Sequence, residues 1–136
     1  MSTTTEGANP RIAELVARYV AVWSEPDPAV RAATVAELWT PDGVEFIEGA
    51  QFRGPNELAD RLAEAYETFV QPGTFDVTAA HDLTVHGDVA VFTIELRART
   101  GEAAGKVAWD ARVFLSLNTD LRIREDYHLT IHPIAA

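Results

Sequence analysis

A chain of 136 residues makes one domain, long enough to bury a core and too short for a second. Its net charge of -10 would repel a phosphate backbone, and no basic stripe interleaved with aromatics is present, so nucleic acid is not an expected partner. The absence of cysteine excludes disulfides, thiolate catalysis and sulfur-ligated zinc, and no apolar run approaches the roughly 20 residues needed to span a bilayer.

Residues 1–8 lack the basic start and apolar core of a signal peptide and are expected to be a flexible tail, with a cytoplasmic location by default. Asn9 can cap a helix whose first position suits Pro10. Ile12, Leu15, Val16, Tyr19 and Trp23 follow at helical spacing, so one face of this helix is buried. Asp27-Pro28 repeats the start signal, and Ala32, Val35, Leu38 and Trp39 give a second stripe that stops before Pro41. The strand Val44-Glu45-Phe46-Ile47 comes next. Arg53-Gly54-Pro55-Asn56 then opens a third helix whose apolar face is Leu58, Leu62, Ala65, Tyr66 and Phe69, ended by Gln71-Pro72-Gly73.

The rest of the chain has no helical period. Turn signals at His86-Gly87-Asp88, Thr100-Gly101 to Gly105 and Asn118-Thr119-Asp120 divide it into four long β segments, short enough in their connections for an antiparallel meander. The order ααβαββββ predicts an α+β domain over residues 9–136, a cone-shaped, curved, mostly antiparallel sheet wrapping three N-terminal helices around a pocket.

Four stretches carry a resemblance: Ala17-Arg18-Tyr19-Val20 with Trp23, Leu38-Trp39-Thr40-Pro41-Asp42-Gly43-Val44-Glu45-Phe46, Phe52-Arg53-Gly54, and Arg122-Ile123-Arg124-Glu125-Asp126-Tyr127-His128. In order and spacing the chain resembles the nuclear-transport-factor-2-like superfamily, which includes SnoaL-like polyketide cyclases, ketosteroid isomerases and limonene epoxide hydrolases. The resemblance puts Tyr19 where the isomerases keep an oxyanion-stabilising tyrosine; the alternative is a core tyrosine ending an amphipathic stripe. It puts Ile47 where they keep a proton-shuttling carboxylate, which disfavours a classical steroid isomerase. Glu45 shares the face of Ile47 and could act as acid or base, or be a solvated strand glutamate.

On the last β segment the resemblance places Asp126 and His128 on the pocket face, about 7 Å apart along the strand, as an acid/base pair. It turns Thr93, Glu95 and Arg97 inward and makes Trp109, Ala111 and Val113 an apolar wall. Glu95 with Arg97 suggests a narrower, epoxide-opening variant.

Periodicity gives a competing register. Phe92, Ile94 and Leu96 alternate with Thr93, Glu95 and Arg97, and the usual rule sends the apolar set to the core. Leu121, Ile123, Tyr127, Leu129 and Ile131 likewise oppose Asp126 and His128. A bulge, or a dimer covering an apolar outer face, would reconcile the two. Leu121 stands where the family has glycine, so a one-residue slip turning Glu125 and Tyr127 inward is open.

The expected function is a cofactor-independent enzyme acting on a small apolar or polyketide-like molecule by general acid/base chemistry, as isomerase, cyclase or epoxide-opening hydrolase. Asp126, His128, Glu45 and Tyr19 would be catalytic; Trp23, Ile47, Tyr66, Glu95, Arg97 and Trp109 would bind substrate. No cofactor is expected. The histidines His81, His86, His128 and His132 show no spacing that marks a metal site. A homodimer through the outer sheet face is expected, because Phe92, Ile94 and Leu96 need a cover in the family register. The alternative is a non-catalytic ligand-binding or assembly module of the same fold.

Overall fold

Asn9 accepts a hydrogen bond from the Arg11 amide, with Pro10 at the first helical position, and so begins α1 (Pro10–Val22). The computed structural model containing it describes residues 9–134, and the expected tail, residues 1–8, lies outside them. The predicted stripe of α1 is its buried face. Asp27 accepts from the amides of Ala29 and Val30 at the start of α2 (Pro28–Leu38). The far end of α2 is held from across the fold, where Arg122 donates to the carbonyls of Ala36 and Trp39.

The chain passes from α2 straight into β1 (Trp39–Ile47), whose pairing shifts between Trp39 and Val44. Gly43 sits in that irregular stretch because nothing larger fits. A Cβ there would stand 2.8 Å from Trp39 Cδ1 and 3.0 Å from the Ile123 carbonyl oxygen. Glu48 and Gly49 then take φ of 49° and 83°, a two-residue hairpin turn that returns the chain as β2 (Ala50–Arg53), antiparallel to β1. The sequence reading passed over this strand.

The third helix is α-helical as α3 (Gly54–Ala65) and continues as a π-helical turn, Tyr66–Val70. Its predicted face is buried at Leu58 and Leu62 only; Tyr66 and Phe69, in the π turn, are partly exposed. The first of the four long segments is split into β3 (Phe75–Ala79) and β4 (Thr84–His86), and the others are β5 (Val89–Ala98), β6 (Val107–Leu117) and β7 (Ile123–His132).

These strands form one open sheet in the order β2-β1-β7-β6-β5-β3, with β4 beside β5; β1 and β7 run parallel and the other neighbours antiparallel. The predicted α+β class holds, with strands β2 and β4 added to the expected order. Tyr19, Trp39, Leu58 and Leu62 pack against Phe92, Ile94, Ala111, Val113 and Leu115, so the helices fill one end of the sheet's concave face.

The strand faces settle the two competing registers differently. On β5 the alternation rule wins: Phe92 and Ile94 join the helix-packed core, Leu96 is buried beside them, and the three pair with Val113, Ala111 and Trp109 of β6. Thr93, Glu95 and Arg97 alternate with them, where the expectation had all three pointing inward; Thr93 instead bonds Asp82 and Arg112, while Glu95 also borders the cavity. On β7 the polar pair turns inward, because pairing with β6 slips between Ile123 and Glu125. Arg124 is thus an extra residue that lets both Ile123 and Asp126 reach the core. Leu121 takes the left-handed conformation at φ 60° in place of the expected glycine, so the turn is kept. Glu125 and Tyr127 stay outward, and Tyr127, Leu129 and Ile131 are exposed.

Candidate active site

The parallel pairing of β1 with β7 puts Glu45 opposite Asp126 and Ile47 opposite His128. Side chains on one face repeat every second residue, so Glu45, Asp126 and His128 come together from two strands. Tyr19, one turn before the end of α1, closes the cluster from above. Its hydroxyl donates to Asp126 Oδ2 at 2.7 Å and lies 2.6 Å from His128 Nε2. The same Nε2 is 3.1 Å from Asp126 Oδ1 and 3.4 Å from Glu45 Oε2. Tyr19, Glu45 and Asp126 are fully enclosed, and His128 is 4% exposed.

Such burial costs several kcal/mol per charge unless the charges pair. Pairing is present. Arg61 Nε donates to Glu45 Oε1 at 3.1 Å, so the cluster holds two carboxylates, a guanidinium and an imidazole. Burial alone would make His128 harder to protonate, but the charge and hydrogen bond of Asp126, then the charge of Glu45, outweigh it, and its pKa is raised. Burial also raises Glu45; Asp126 adds to the rise, while His128 and Arg61 oppose it. Tyr19 is pushed well above its ordinary value by burial and then by the neighbouring carboxylates, so its hydroxyl keeps its proton.

Beside the cluster lies a cavity of about 240 Å³ walled largely by apolar side chains, among them Trp23, Ile47, Phe69, Ile94, Leu96 and Trp109. Of the cluster, His128 and Arg61 reach this wall; Tyr19, Glu45 and Asp126 stand behind it. Of the residues predicted to bind substrate, Trp23, Ile47 and Trp109 line the cavity. Glu95 also borders it, yet its carboxylate accepts from Thr78 Oγ1 at 3.0 Å and pairs with Arg97 at 3.3 Å. Arg97 turns away to donate to the Gly105 carbonyl. Tyr66 lies outside the wall, where the Arg31 guanidinium sits 4.9 Å from its ring centroid.

Arg61, which pairs with Glu45 and lines the cavity, is the member of the cluster that the sequence reading missed. It lies three residues beyond Leu58 and one before Leu62, at the margin of α3's buried face, where a charge signals either snorkelling or a buried partner. The remaining histidines are elsewhere: His81 and His86 are exposed, and His132 pairs with Asp110 on the surface.

One expectation about metals changes. Although the histidine spacing marks no site, Glu45, Asp126 and His128 each offer a ligand atom within 4.8 Å of the others. Among the described residues this group has the donor set for a divalent cation, one imidazole and two carboxylates. Arg61 and a protonated His128 supply countercharge to the same carboxylates, so the group is also accounted for by pairing alone.

With this architecture in place, comparison with known proteins identifies the class. The model of the SnoaL-like domain matches residues 16–126, and the chain belongs to that family. No curated protein matches it in sequence. Among solved structures it is similar to a candidate isomerase of the SnoaL-like family from Agrobacterium tumefaciens, with TM-score 0.76 and 20% identity over 90% of this chain and 98% of that one. A candidate polyketide cyclase from Sinorhizobium meliloti gives TM-score 0.63 and 20% identity, covering 85% of this chain and 93% of the other. A protein from Catenulispora acidiphila with a ketosteroid isomerase-like fold, solved with trimethylamine, gives TM-score 0.62 and 16% identity over 85% and 83%. At these identities the likeness is one of fold. No helix among the described residues is long and apolar enough to cross a membrane.

Proposed function

We propose that this protein is a small-molecule enzyme of isomerase or cyclase type that moves protons with its own side chains on a largely apolar, polyketide-like ligand. The observation that carries this reading is the convergence of Tyr19, Asp126 and Glu45 on one imidazole, His128, which is itself part of the wall of an apolar cavity. Nδ1 of a neutral His128, the ring nitrogen the cluster leaves without a partner, would take a proton from carbon beside a ligand carbonyl, and the imidazolium so formed would be stabilised through Nε2 by Asp126 and Glu45. The same group would return the proton at a second position, or protonate the product of ring closure. Tyr19 spends its hydroxyl proton on Asp126, so its role here is to position the carboxylate and imidazole rather than to donate to a ligand oxyanion. Trp23 and Trp109 would pack the ligand. The Glu95–Arg97 pair is anchored to Thr78 and Gly105, away from the Tyr19 cluster, and gives the epoxide-opening variant no support. Tyr127, Leu129 and Ile131, with Phe46 stacked on Tyr127 at 5.0 Å, make an outer apolar face on which we also propose a homodimer.

Deuterium exchange into cyclic enones and diketones in heavy water, followed by proton NMR, tests the reaction. Saturable wash-in is expected, and His128→Gln should slow it by about 100-fold or more, the usual contribution of a positioned acid/base group. Equal rates with and without His128 would end the proposal. A second reading, a ligand-binding module without turnover, draws on the complete enclosure of Glu45, Asp126 and Tyr19. It predicts ligand binding with no exchange above the buffer rate.

A further inference from the structure

We propose that Arg61 is an anion-recognition point in the cavity, and that the ligand is a small apolar acid whose carboxylate docks on it. The inference deepens the proposed function, since it rests on the cavity being the ligand site, but it needs no turnover. Arg61 is the one lysine or arginine in the cavity wall, set among aromatic and aliphatic side chains. Only its Nε is engaged, by Glu45; neither terminal nitrogen has a hydrogen-bond partner among the described residues. These donors sit on a side chain that is only 16% exposed and borders the cavity, so they are open to a ligand there.

The guanidinium is also held in place. It lies 5.2 Å from the Trp23 ring centroid and 5.5 Å from that of Phe52, so little rotamer freedom is lost when a ligand binds. With Nε taken, the two terminal nitrogens present the end of the fork, a geometry that receives the two oxygens of a planar carboxylate. One guanidinium suits a monoanion better than a phosphate dianion. Arg61 also borders an outer groove, but Glu57, Asp60 and Glu64 line that side and would repel an anion there, so the carboxylate belongs on the cavity side. The Glu45 carboxylate separates Arg61 from His128. An acid docked on Arg61 would occupy the cavity whose wall also holds His128.

Calorimetric titration of the full chain with naphthoate and with its neutral carboxamide at pH 7 tests the proposal. The acid is expected to bind at least about tenfold more tightly than the amide, a difference of about 1.4 kcal/mol. Arg61→Gln should abolish that preference; should that variant not fold, Arg61→Lys should keep a reduced preference, since it retains charge without the fork. Equal binding of acid and amide by the unaltered protein overturns the proposal, as does a preference that survives Arg61→Gln or a failure of both probes to bind. Preferential binding of the acid without any deuterium exchange would uphold Arg61 and remove the acid/base reading alone.

Discussion

Replacing Tyr19 by phenylalanine deletes one oxygen and leaves the packing in place. The ring keeps its contacts with Trp23, Trp39 and Phe92, whose centroids stand 6.1, 5.6 and 5.8 Å away. What is lost is the hydroxyl donor 2.7 Å from Asp126 Oδ2. That carboxylate is fully enclosed, and its other oxygen has no hydrogen-bond partner, only the charge of His128 at 3.1 Å. A hydrogen bond to a charged group contributes about 1.5–3 kcal/mol, and a buried acceptor left without a donor puts the loss at the upper end. Tyr19→Phe is therefore expected to lower stability by about 2–3 kcal/mol. In urea, followed by tryptophan fluorescence, the midpoint should fall with an unchanged slope, because no new surface is exposed on unfolding. A loss below about 0.5 kcal/mol, within the range of ordinary surface substitutions, would refute the view that this hydroxyl holds the buried carboxylate.

The pH dependence of stability follows from the raised pKa values. For His128 the folded state binds its proton more tightly than the unfolded state does, so its stabilisation is fully present below the ordinary histidine value of 6.5 and is lost as pH rises through the higher folded value. Glu45 is also raised and acts with the same sign from its ordinary 4.5 upward. Denaturation midpoints should therefore fall as pH rises above 6.5, and His128→Gln should flatten that part of the curve; an unchanged slope would contradict the assignment. Gly43→Ala is expected to cost about 1–3 kcal/mol, the usual range for overpacking, since its Cβ would meet Trp39 and the Ile123 carbonyl; unfolding midpoints within error of the parent would count against this close approach. Light scattering at micromolar concentration should give a dimer mass that Leu129→Arg reduces to the monomer, and a monomeric parent would remove the outer face as an interface.

Much of this architecture was legible because capping and turn residues act locally. Asn9-Pro10 and Asp27-Pro28 fix helix starts whatever surrounds them, and Phe92, Ile94 and Leu96 mark a buried strand face by alternation. Glu45, Asp126 and His128 were legible only through a resemblance, since alternation cannot see the extra residue at Arg124 that reverses the faces of β7. The rule failed there and held on β5, where Phe92, Ile94 and Leu96 are buried, although Glu95 also borders the cavity. Strand β2 was hidden by its turn, because Glu48 takes a positive φ that glutamate seldom adopts. Arg61 was hidden by its partners, Glu45 and the rings of Trp23 and Phe52, which are remote in sequence.

The central claim is that His128 exchanges protons with whatever the cavity holds, under the control of Asp126. Its most direct test is the pH profile of deuterium exchange in the parent and in Asp126→Asn. In the parent, the limb reporting His128 should lie above pH 6.5, because Asp126 is the largest influence raising that imidazole. In Asp126→Asn the limb should move to lower pH, because burial is then opposed only by the remaining charge of Glu45. A limb that stays in place when the carboxylate is removed would contradict the account.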